Sequence, residues 1–294
     1  MSKQAENLPC RRKKIGLALG GGGAKGLAHI GVIKALEEAR IPIDFIAGTS
    51  MGALIGGWYA LNKDIKFLEN LILKASESEN TSPEKILATK GKTFFKDLSI
   101  ADILKLSFNH HEFKNCRVPF KAVATNVENG GEEILESGLL SLAIEASIAI
   151  PVIFSPVKVG GKLLMDGGFC NPVPADVVRA MGADFVIAVD VSSRWVNVPE
   201  NLSNSKNVYS AILNSFCAVE YQIAKHILDK ADFVVKPAVM TYNLLNFQKA
   251  GEIIEAGKAE TQRVLPDIRE KAGYEKLPPK TLGEAFLRLL ETES

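Results

Sequence analysis

Cysteine is scarce in this chain, and charge of neither sign is in excess. The four cysteines, Cys10, Cys116, Cys170 and Cys217, are spread over 294 residues. No two form a C-x-x-C pair, which argues against a zinc site or a disulfide framework and favours a reducing compartment. Thirty-five basic residues face 34 acidic ones, so no bulk charge draws nucleic acid or an acidic polymer. Uninterrupted apolar runs are missing too. Residues 45–62 carry no formal charge, and their 18 residues reach the lower limit for a membrane span. They contain Gly48, Gly52, Gly56 and Gly57 together with Thr49 and Ser50, which suits a buried strand, a turn and a helix better. The basic cluster at residues 11–14 precedes a run that is mostly glycine and has no clear cleavage site, so no signal peptide is expected. The expected location is cytoplasmic, with peripheral contact at a membrane left open.

What is present is an ordinary globular composition, 47% hydrophobic and 23% charged, in a chain long enough for a sizeable core. Short apolar strands alternate with helical patterns. Strands are expected at 14–19, 45–47, 118–127, 133–136 and 185–191, with a hairpin at 157–164 around Gly160-Gly161 and a late strand at 233–236. Helices are expected at 25–39, 50–61, 66–76, 100–106, 139–149, 175–181, 206–229 and 251–271. The alternation predicts an α/β fold with a central, mainly parallel sheet and helices on both faces, a three-layer sandwich. Residues 1–13 read as a disordered tail and 14–294 as a single domain. Within it, 77–117 is a lid or insert rich in charge and carrying Phe94, Phe95, Phe108 and Phe113; 192–294 reads as helical cover. Those phenylalanines either touch lipid at the site entrance or pack in the core.

Two glycine-rich turns carry candidate chemistry. Gly48-Thr49-Ser50-Met51-Gly52 matches G-x-S-x-G between a strand and a helix. Small flanking residues there let a serine sit on a sharp, strained turn, with the helix N-terminus aimed at developing negative charge. The plainer reading of Ser50 is a helix cap. The stretch Gly20-Gly21-Gly22-Gly23-Ala24-Lys25-Gly26 also follows a strand and opens a helix. Its consecutive amides could bind an oxyanion. Gly21, Gly23 and Gly26 also fit a dinucleotide fingerprint, with Asp44 near the spacing of a ribose-binding acid. Asp44, however, begins the second strand, where that acid should end it. A tight turn without ligand is the third reading.

A serine nucleophile needs a base. His29 lies in the first helix and reads as packing; His110 and His111 lie in the charged segment; His226 lies in a late amphipathic helix. Asp166-Gly167-Gly168 follows the apolar Leu163-Leu164-Met165 and delivers a carboxylate at a strand end, although alone it would read as a hairpin turn. Asp190 also ends an apolar strand and is the reserve candidate.

Taken together, these segments resemble the patatin-like phospholipase family. The likeness is carried by residues 20–32, by 48–52, by Ala-Ser-Ile-Ala-Ile-Pro-Val-Ile-Phe-Ser-Pro at 146–156, by Asp166-Gly167-Gly168 and by Asn171-Pro172-Val173-Pro174. It spans residues 14–191 and is similar to compact bacterial members that overlap neuropathy-target-esterase-like catalytic domains. It implies a serine esterase of lipid metabolism, a phospholipase or lysophospholipase. Ser50 would be nucleophile and Asp166 base, with Gly21, Gly22 and Gly23 at the oxyanion, Gly48 and Gly52 in the elbow, and Gly167 and Gly168 in the aspartate turn. It implies no metal and no cofactor. Lys25 stands where many relatives carry arginine. The partner implied is a lipid ester, not nucleic acid. Two other functions are carried forward: a nicotinamide-dependent oxidoreductase, and a catalytically idle regulatory protein on the same fold.

Overall fold

The computed structural model describes residues 12–77, 100–192 and 208–274. Eight strands form one sheet: β1 (Ile15–Leu19), β2 (Phe45–Thr49), β3 (Phe120–Asn126), β4 (Glu132–Leu135), β5 (Val157–Val159), β6 (Lys162–Asp166), β7 (Phe185–Val189) and β8 (Phe233–Val235). Their order is β5-β6-β3-β2-β1-β7-β8, with β4 paired to β3. The ladders from β3 through β2, β1 and β7 to β8 are parallel, while β4, β5 and β6 add antiparallel pairings on the β3 side. The expected mainly parallel α/β fold is what the chain adopts.

The central strands read as continuous apolar runs because both faces are covered. Ile15, Leu17 and Leu19 of β1, with Phe185, Ile187 and Val189 of β7, join the larger core cluster. The intervening Ala18, Val186 and Ala188 join a second cluster with Val177 and Val178. Helices α1 (Ala28–Glu38), α2 (Met51–Asn62) and α3 (Ile65–Ser76) supply the first face, and α4 (Ile100–Phe108) and α5 (Leu140–Ser147) follow on the β3 side. The short α6 (Ala175–Ala180) lies on the opposite face. Two long helices, α7 (Val208–Ile227) and α8 (Ala250–Ala272), complete the cover. Helices α8 and α1 touch backbone to backbone: a Cβ on Gly257 would fall 2.0 Å from Ala28 O.

Boundaries differ from the sequence reading in one instructive place. The first helix was expected to start at residue 25, but residues Gly23–Leu27 form a tighter 3₁₀ turn before α1. Gly22 and Gly23 have positive φ, 146° and 56°, so the chain enters too sharply for a regular first turn.

Phe108 and Phe113 are core residues. Phe108 meets Trp58 edge-on and Phe113 stacks on Phe120, with ring centroids 6.3 and 5.7 Å apart. For these two the packing reading holds; Phe94 and Phe95 lie outside the described residues. Of the tail expected at 1–13, residues 1–11 lie outside the described residues, and the Arg12 guanidinium makes two 2.6 Å hydrogen bonds to Asp44. Among the described residues no helix is long and apolar enough to cross a membrane.

Candidate active site

The parallel strands deliver their carboxyl ends to one edge of the sheet, and two glycine turns leave it there. Strand β2 ends at Thr49, and Ser50 sits in the turn to α2 with φ 54° and ψ −123°. That is a left-handed conformation rare for a residue with a Cβ. Four contacts surround it. The Ser50 amide donates to Ser147 Oγ (2.9 Å), which donates in turn to Val123 O (2.6 Å). Thr49 Oγ1 donates to Asn171 O at 2.7 Å. Gly52 presses α2 against the first strand so closely that a Cβ would fall 2.1 Å from Leu19 O.

Asp166 arrives from the neighbouring antiparallel strand. It ends β6 opposite Ala124 of β3, and the Ser50 hydroxyl donates to its Oδ2 at 2.6 Å. Its other oxygen accepts from Gly168 N at 2.8 Å. Its backbone is pinned as well: Asp166 N donates to Ala149 O at 3.0 Å, and Thr125 Oγ1 donates to Asp166 O at 2.8 Å. Gly167 and Gly168 start the 3₁₀ turn that follows, so the segment is not a hairpin turn. Complete burial pushes the Asp166 pKa up to about 7, against the opposing pull of the Ser50 and Gly168 hydrogen bonds.

Asp190, the reserve candidate, is turned elsewhere: it accepts from the amide and hydroxyl of Ser192 at 2.9 and 2.6 Å. Of the histidines, only His29 reaches this edge. It is fully buried, and its Nε2–H donates to Gly20 O at 2.7 Å. Burial lowers its pKa to about 4, so it is a neutral brace under the glycine loop. His110, His111 and His226 are exposed.

The glycine loop corrects one expectation. Gly21 N–H was expected at the oxyanion, but it donates to Pro172 O at 2.9 Å and ties the loop to residues 171–174. Among the described residues neither Gly22 N–H nor Gly23 N–H donates to a backbone carbonyl. Lys25, in the same turn, is 1% exposed.

The dinucleotide reading fails on geometry. Asp44 lies at the amino end of β2, clasped by Arg12 and accepting from Ile15 N at 2.8 Å. A ribose would have to be bound at the other end of the strand. Among the described residues no group of three or more His, Cys, Asp or Glu side chains could hold a metal ion.

Two residues at this edge were not singled out in the sequence. Ser147 lies inside the 146–156 segment but bears no signal of its bridging role. Glu220 does bear one. It occupies the buried stripe of α7 formed by Leu213, Phe216, Glu220 and Ala224, where an amphipathic helix should be apolar.

The patatin-like phospholipase family model matches residues 17–179. Lysophospholipase NTE1 of Kluyveromyces lactis is 30% identical over 90% of this chain, and a patatin-like phospholipase domain-containing protein of Caenorhabditis elegans, ZK370.4, is 30% identical over 83%. The chain spans about one fifth of the length of each of these relatives. The solved structure of VipD from Legionella pneumophila overlays with a TM-score of 0.48 at 17% identity, covering 87% of this chain and 67% of that one. The chain belongs to the patatin-like phospholipase family.

Proposed function

We propose that this chain is a serine acyl-hydrolase acting on carboxylic esters of lipids, phospholipid or lysophospholipid, through Ser50 and Asp166. The observation that carries the reading is the 2.6 Å hydrogen bond from the Ser50 hydroxyl to a fully buried carboxylate, on a strained strand-to-helix turn. Asp166 takes the serine proton as Ser50 Oγ bonds to the ester carbonyl carbon. Gly22 and Gly23 amides hold the oxyanion. As the ester C–O bond breaks, Asp166 returns that proton to the leaving alcohol. Water, losing a proton to Asp166, then bonds to the carbonyl carbon of the acyl-serine; the bond from that carbon to Ser50 Oγ breaks, the fatty acid leaves, and Asp166 returns the proton to Ser50 Oγ. A carboxylate at its usual pKa is a feeble base at neutrality; burial brings Asp166 to about 7, where it is a more effective base at neutral pH.

Apolar chemistry beside the turn supports a lipid substrate. A cavity of about 180 Å³ opens next to the Asp-Gly-Gly turn, lined by Ile150, Pro151, Phe169, Leu213, Phe216 and Val219. It suits one end of an acyl chain. Peripheral contact with a membrane, where such substrates reside, belongs to the same proposal, as does the division into a single domain with a lid between 77 and 117.

A fluorophosphonate probe tests the nucleophile. It is expected to label Ser50, and Ser50→Ala is expected to lose both labelling and lysophospholipid hydrolysis while remaining folded. Full hydrolysis by Ser50→Ala overturns the assignment.

A further inference from the structure

Helix α7 closes over the site from the side of the glycine loop, and its buried stripe carries a carboxyl group where Leu213, Phe216 and Ala224 are apolar. Glu220 is 1% exposed, and neither of its carboxyl oxygens has a hydrogen-bond partner. A structural carboxylate inside a protein is paired or hydrogen-bonded, because an uncompensated buried charge is strongly unfavourable. A carboxyl group left unpartnered in so tight a place calls for a partner, and a ligand bound beside it can supply one.

Two glycines locate it. A methyl group placed on Gly21 would lie 2.4 Å from Glu220 Oε1 and 3.4 Å from Ser50 Cβ. A methyl group placed on Gly168 would lie 3.2 Å from the same Oε1 and 3.1 Å from Asp166 Oδ1. Glu220 therefore shares one small space with Ser50 and Asp166, on the flank of the loop where the Gly21 amide is already engaged with Pro172. The charged groups around it come from three other elements: Lys25 of the glycine loop, Asp166 at the end of β6 and Asp190 after β7; the Cys217 thiol lies one turn back on α7. Burial raises the Glu220 pKa to about 8, Lys25 pulls it down, and the two aspartates push it further up.

Building on the hydrolase reading, we propose that Glu220 is a third acid of the active site, one that keeps its proton and donates it as a hydrogen bond to the carbonyl oxygen of the ester as Ser50 attacks. No proton is transferred in this role. The neutral acid joins the Gly22 and Gly23 amides as a donor to the developing oxyanion. Ionised, the same group would place negative charge beside a forming alkoxide. Turnover thus requires Asp166 without its proton and Glu220 with it.

The test is the pH profile of kcat/KM for a chromogenic medium-chain ester, from pH 5 to 10, with product quantified after quenching. The native chain is expected to gain activity through about pH 7 and lose it above about pH 8. Glu220→Gln keeps a donor that does not titrate, so the acid limb is expected to stay and the alkaline fall to move up by more than about one pH unit. Glu220→Leu keeps the bulk and removes the donor, and kcat is expected to fall about 100-fold with KM nearly constant. An alkaline limb unmoved in Glu220→Gln, or native turnover by folded Glu220→Leu, overturns the proposal. If Glu220→Leu does not fold, the glutamine profile decides alone. Fluorophosphonate labelling of the native chain runs alongside. Failure to label Ser50 overturns the hydrolase reading and this proposal with it, whereas labelling with an unmoved alkaline limb overturns this proposal only.

Discussion

The strand-end turn at Asp166 and the helix stripe at Glu220 bury two carboxyl groups in one space and treat them oppositely. Asp166 accepts from Ser50 and Gly168 through its side chain, and its backbone is pinned by Thr125 and Ala149. Glu220 has no hydrogen-bond partner. Both pKa values rise for the same primary reason, loss of water. The difference lies in what each group is left free to do. A carboxylate fixed by several bonds has a set orientation, which a proton acceptor for a neighbouring hydroxyl needs. A carboxyl without partners has an unmet capacity that a ligand can satisfy.

The largest expected effect breaks the comparison on the Asp166 side. Asp166→Asn preserves shape and removes the basic charge, so kcat is expected to fall by about 10²–10⁴-fold with the fold retained. A loss of less than tenfold, measured on lysophospholipid, would mean that Asp166 only positions Ser50. Next comes stability. Both carboxyls have folded pKa values above their ordinary ones, so burial in the neutral form is favourable at acid pH, and that contribution is lost as pH rises toward about 7 and 8. Thermal melting of the native chain should therefore weaken between pH 5 and 9. Glu220→Gln should recover part of that loss, on the order of a few kcal/mol at pH 9. Identical melting curves at every pH would place the Glu220 proton elsewhere.

The smallest effect sharpens the contrast with a group of opposite sign. His29 is buried neutral, with its pKa lowered to about 4. Its contribution is fully present above the ordinary imidazole value and is lost as pH falls from about 6.5 through 4. His29→Gln should flatten that acid-side loss by on the order of 2 kcal/mol and leave the alkaline side alone. Acid-side melting as steep in the variant as in the native chain would reject the brace beneath Gly20.

Much of this architecture is legible in the sequence, for a simple reason. Central strands covered on both faces are expected to lack polar side chains, and 15–19, 45–48 and 185–189 carry none; that these strands run parallel follows from the helices between them. Ser50 and Asp166 could be singled out because each sits in a short glycine-permitted turn at a strand end. The use of individual amides was harder to read. Gly21, Gly22 and Gly23 are chemically alike along the chain, and only the return of residues 171–174 beside the loop engages the first and leaves the others. Ser147 is equally silent, since its bridge joins Ser50 to Val123 across three elements. Glu220 could have been noticed as a charge in an apolar stripe, but its direction toward Gly21 depends on where α7 crosses the sheet edge.

The backbone at Ser50 also limits what could ever replace it. At φ 54° and ψ −123°, a side chain branched at Cβ would crowd its own peptide groups, a genuine outlier for such residues. Threonine carries the same hydroxyl, yet it is the wrong shape for this turn, so Ser50→Thr is not conservative here. Cysteine is unbranched and tolerated. The turn therefore acts as a steric filter on chemistry: of the common hydroxyl and thiol nucleophiles, it admits a primary alcohol or a thiol and rejects a secondary alcohol, before any question of reactivity arises.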